Sequence, residues 1–92
     1  MSFVFKIRES LFINPAKPCY VMDTQSIQGN GSISFPCQGS LYVKGIKQTV
    51  TLIGMAPMFT SENVKNTLWT FRMEKPSFEM HDVTLGSELT IS

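Results

Sequence analysis

Apolar residues in this chain alternate with polar ones over short runs, and glycine or proline ends nearly every run. No other feature of the sequence limits its fold as much. Phe3, Phe5 and Ile7 interleave with Val4, Lys6 and Arg8, a period of two that belongs to a half-buried strand. Leu11, Phe12 and Ile13 continue the extended pattern as far as Asn14-Pro15, and the stretch Asn14 to Pro18 reads as a loop or sheet edge. Cys19 to Met22 is the next apolar run, and Gln28-Gly29-Asn30-Gly31 is a hairpin-type turn signal. Ile33 and Phe35, then Leu41 and Val43, then Val50 and Leu52, each alternate with polar neighbours before Pro36, Gly45 and Gly54 respectively. Leu68, Trp69, Phe71 and Met73 resume a strand, and Leu89 and Ile91 close the chain. Between these, Met55 to Asn66 is irregular, with Ser61 to Lys65 long enough for one helical turn.

Six to eight short antiparallel strands with turns about every 8–12 residues predict an all-β sandwich or, preferably, a small barrel. A length of 92 residues fits one domain, 1–92. The predicted core is Phe5, Ile7, Phe12, Val21, Ile33, Leu41, Val43, Val50, Leu52, Leu68, Phe71, Leu89 and Ile91. Charged residues make up only 16% of the chain, against about 25% in ordinary soluble domains. That excludes a charge-driven disordered tail and a coiled coil. A net charge of +1 argues against a dedicated nucleic-acid binder, which needs clustered Lys and Arg.

Lys6, Arg8 and Glu9 interrupt the N-terminal pattern before any secretory core could form, and no apolar run is long enough to span a bilayer. The expectation is a cytoplasmic protein without a membrane partner, in which Cys19 and Cys37 are unpaired. Two cysteines and one histidine, widely spaced, do not make a zinc site, so no metal or other cofactor is expected.

No catalytic constellation forms in the sequence. His81 precedes Asp82, but neighbours on a strand point to opposite faces and pair only if a turn intervenes. Glu74, Glu79, Asp82 and Glu88 collect acidic charge in a spacing that fits no calcium loop and reads as a solvated face. Gly29-Asn30-Gly31 lacks the rest of a phosphate loop, so no nucleotide hydrolysis is expected. Two surface candidates remain. Tyr42, Lys44 and Lys47 could form a small basic-aromatic patch for single-stranded nucleic acid. Met55, Met58 and Phe59 form an apolar segment where a loop should be polar; they are either an exposed contact patch or a plug folded into the barrel.

Three segments carry a family resemblance. The first is Phe3-x-Phe5-x-Ile7 with Leu11-Phe12-Ile13. The second is Gly39-Ser40-Leu41-Tyr42-Val43 followed by Val50-Thr51-Leu52-Ile53-Gly54. The third is Phe71 to Glu79 followed by Leu85 to Ile91. In this order they resemble the second-domain β-barrel of translational GTPases of the elongation factor Tu type. Departures lie at Lys44 to Gln48, which replaces the family's Gly-Asp, and at Gly86-Ser87, which replaces its closing Gly-Asp. The resemblance implies a translation-factor-like barrel without a GTPase unit, in contact with RNA, a ribosome surface or a protein; no family contact residue transfers to a position here. The expected function is therefore a non-enzymatic binding module. The alternative is a small structural or assembly protein, of the kind phages and mobile elements encode, that self-associates through a sheet edge or apolar loop. Low charge with abundant Met and Phe favours protein partners over RNA in either case.

Overall fold

A computed structural model describes residues 2–13, 18–29 and 31–92. Six strands form in chain order: β1 (Phe3–Ile13), β2 (Cys19–Gln28), β3 (Cys37–Val43), β4 (Ile46–Pro57), β5 (Leu68–Met73) and β6 (Glu88–Ile91). All pair antiparallel, in the order β1-β2-β5-β4-β3-β6, and β6 returns to β1 to close a barrel. Among the described residues the chain is thus all-β, as the alternation predicts, with a single 3-10 turn at Met80–Asp82. Among the described residues no helix is long and apolar enough to cross a membrane.

The inward faces meet in one core. Phe71, Ile7, Met22, Leu41, Leu52 and Leu89 are fully buried there, and the Phe5 and Phe71 rings pack edge to face at 4.8 Å. Eleven of the thirteen predicted core residues are buried; Phe12 and Ile33 are not. Ile33 is half-buried and packs on the core from outside the ladder. Phe12 is 47% exposed because β1 outruns its neighbour. Strand β6 pairs only with Phe3 to Lys6, while β1 continues against β2 to the last pair, Ile13 with Cys19. Phe12 therefore projects beyond the closed part of the barrel, with its ring 4.9 Å from that of Tyr20.

Bulges break the alternation. Three register shifts leave one residue unpaired each: Ile27 of β2 opposite Val4–Phe5, Arg8 in β1 and Ile53 in β4. An inserted residue flips the faces of all that follow. In β4 the bulge lets the strand continue against β5 after β3 has ended. Met55, Ala56 and Pro57 thus lie in a strand, not in the loop that the sequence suggests. Pro57 is tolerated because this part of β4 has a ladder partner on one side only.

Three further expectations need correction. Gly29 and Gly31, both at positive φ, do not close a hairpin: β2 and β3 are not neighbours, and residues 31–36 cross one end of the barrel to reach β3. Ile33 and Phe35 are therefore in a crossing segment rather than a strand, though both still pack against the core. Ser61 to Lys65 forms turns, not a helix. Of the loop expected at Asn14 to Pro18, residues 14–17 lie outside the described residues. At the barrel's other end Met80 and Val83 are buried, and Ser10 Oγ donates to the Met80 carbonyl at 2.6 Å. Met22, Met73 and Met80 fill the core, which gives most of the described methionines a packing role.

Candidate functional site

The tight β3–β4 hairpin positions the first sequence candidate. Val43 pairs with Ile46, so Lys44 and Gly45 make a two-residue turn with φ of 51° and 78°. Two successive positive φ values define the type I′ turn that matches strand twist. Tyr42 and Lys47 are register partners on this hairpin and both are exposed. Lys44 is at the turn, where its Nζ lies 3.5 Å from a carboxylate oxygen of Asp82. The sequence thus brings Tyr42 and Lys47 together, while Lys44 is turned toward an acidic neighbour.

Asp82 also lies 3.5 Å from His81 Nε2, because the 3-10 turn folds the two adjacent residues onto each other. The intervening turn is the condition under which neighbours can pair. His81 is largely exposed, and an exposed pair of this kind contributes little to stability. Glu74, Glu79 and Glu88 are exposed as well. Among the described residues no group of three or more His, Cys, Asp or Glu could hold a metal ion. Cys19 and Cys37 are both free and half-buried, at the starts of β2 and β3. Burial pushes the Cys37 thiol above its ordinary pKa, since an apolar surrounding disfavours the thiolate.

The structure divides the apolar segment. Met55 turns into the barrel and packs against the core, as a plug would. Met58 is half-buried, and its amide donates to the Leu68 carbonyl at 3.0 Å. Phe59 is 93% exposed. It opens a loop, residues 58–67, in which Val64 is also 82% exposed.

That loop is tied down by a residue that the sequence reading did not single out. Asn63 Nδ2 donates to the carbonyls of Met58 at 2.8 Å and Leu68 at 3.2 Å, and Asn63 Oδ1 accepts from the Leu68 amide at 3.0 Å. One side chain thereby joins the loop's two ends. Asn66, at φ 54°, reverses the chain just before β5, a conformation that Asn adopts more readily than most residues. Arg8 reaches Glu62 at 3.1 Å from the outer wall of β1. An Asn five residues before an apolar strand is a weak signal; only the fold shows that both loop ends lie within its reach.

Beside this loop the barrel's end is open. A depression of about 470 Å³ is walled by Phe3, Phe5, Ile33, Phe35, Met55 and Trp69. Its rim is Ser26, Ser32, Asn66 and Thr67 with Gly29 and Gly31, so no described residue lining it is charged. Gly29 presses its backbone on this wall: a Cβ there would lie 2.6 Å from the Phe3 ring.

Closure of the barrel bears on the sheet-edge route to self-association. Every strand has two neighbours, and a one-sided ladder remains where a strand outruns one of them, as at Leu11–Ile13 of β1, Ser26–Gln28 of β2, Leu41–Val43 of β3 and Met55–Pro57 of β4.

Neither a protein-family model, nor a curated protein, nor a solved structure matches this chain. The likeness to translation-factor barrels accordingly rests on its three sequence segments.

Proposed function

We propose that this barrel is a non-enzymatic binding module whose contact is another polypeptide, made through the loop carrying Phe59 and Val64. One observation carries the reading: two large apolar side chains stand in solvent on a loop whose ends are joined by the Asn63 hydrogen bonds. Exposed apolar groups on a loop are costly, because loops are normally polar. When the backbone beneath them is already ordered, binding loses little further entropy, and an aromatic anchor of this sort is a typical centre of binding energy. A net charge of only +1 supports a protein over RNA, whose binding rests on phosphate neutralisation.

Photo-crosslinking tests the reading. A photoreactive phenylalanine analogue is placed at position 59 and, as control, at exposed Ser77 in the connection leading to the 3-10 turn. In the native cell, position 59 should yield a discrete polypeptide adduct that position 77 does not. No adduct from position 59, an RNA adduct, or the same adduct from both positions would refute the proposal.

A further inference from the structure

We infer that the occupant of the aromatic depression is Phe59 of a second copy of this chain, in a two-fold dimer. The inference rests on the proposed role of the 58–67 loop and adds the identity of the partner.

One molecule carries two complementary parts. Phe59 is an apolar knob with almost its whole surface in water. The depression is a hole of about 470 Å³ with aromatic walls and no charged lining among the described residues. A neutral aromatic ring could enter it without desolvating a charge, the step that makes most polar occupants costly. Phe3, Phe35 and Trp69 line it, and aromatic pairs gain beyond simple area burial.

Position decides the symmetry. The loop leaves β4 after Pro57, which pairs with Trp69 of the depression, and returns through Asn66 and Thr67 of its rim. The loop that carries the knob therefore springs from the end of the barrel where the hole opens. A knob distant from its hole would build open chains of molecules, whereas a knob beside its hole allows a self-complementary patch that closes about a two-fold axis. A net charge of +1 leaves little repulsion between copies.

Sedimentation velocity over a concentration series tests this, together with emission from Trp69, the chain's only tryptophan. The wild type should pass from monomer to dimer, and Trp69 emission should shift over the same range. Phe59→Ser removes the knob, and Ser32→Glu places a charge in the hole; both sites are exposed, so both variants should melt with the wild type. Each should weaken dimerisation by roughly thirtyfold or more, the scale of losing an aromatic anchor. Mixing the two variants restores one intact knob and hole, and should recover heterodimer that neither forms alone. A wild type that stays monomeric with constant Trp69 emission overturns the inference. So does a dimer that survives either substitution. Those results leave the crosslink from position 59 to another polypeptide as a separate outcome, so failure of the dimer and failure of the loop as a contact remain distinguishable.

Discussion

Replacing Asn63 with Ala removes a side chain that makes three hydrogen bonds without contributing to the apolar core. A neutral hydrogen bond contributes about 0.5–1.5 kcal/mol net, so three bonds set a range of about 1.5–4.5 kcal/mol. Water can reach this half-buried site and satisfy part of what is lost, which favours the lower half, about 1.5–3 kcal/mol. A domain of 92 residues should have a total stability of about 5–14 kcal/mol, so the loss is a large fraction of it. At about 4–8 °C per kcal/mol, Tm should fall by about 6–24 °C. Thermal melts and urea titration with an unchanged m-value would measure it, and amide exchange at Leu68 would show whether the loop opens. Glu62→Ala serves as the contrast. Its exposed ion pair with Arg8 should count for so little that Tm hardly moves. If Asn63→Ala melts within about 2 °C of wild type and the Leu68 amide stays protected, the Asn63 bonds do not hold the loop, and the pre-ordered anchor fails with them.

Leu52 is fully buried, and Leu52→Ala should cost about 2–5 kcal/mol in denaturant titration; a loss under about 1 kcal/mol would mean a core that collapses freely around the gap. Gly45→Ala and Gly54→Ala should change stability in opposite directions, although neither new Cβ meets a neighbour within 4 Å. Gly45 sits at φ 78° and should lose about 1–2 kcal/mol from strain, whereas Gly54 has no positive φ and should gain about 0.4–1 kcal/mol by restricting the unfolded chain. Burial holds the Cys37 thiol protonated to higher pH than usual. That contribution to stability is complete below the thiol's unfolded pKa and is lost as pH rises through the raised one. Alkylation at Cys37 in the native protein should accordingly keep accelerating above the pH at which a free cysteine levels off, and levelling at the ordinary pKa would contradict the burial effect.

Period-two alternation, broken by glycine and proline, determined the all-β class and most of the core. Phe5, Ile7, Leu41, Leu52 and Leu89 are legible because a strand must turn alternate residues to one face, and only the apolar set can be that face. The same rule has no access to bulges or strand lengths. It places Phe12 inside, since nothing local shows that β1 outruns β6. It also passes over Met80 and Val83, which are buried by a 3-10 turn and not by a strand. Gly29 and Gly31 show as chain reversals, but hairpin and crossover need the same positive φ, and long-range pairing chooses between them. The candidate site divides along this line. Phe59 stands out in the sequence because an apolar residue in a loop is out of place. The groups around it come from pairings that no local pattern shows: the Asn63 bonds need β4 and β5 to pair as a hairpin, and the aromatic walls are drawn from β1, the crossing segment, β4 and β5. Local preference acts over a few residues, whereas the depression is enclosed by side chains from Phe3 to Trp69 that meet only through the long-range pairing of β1, β2, β5 and β4.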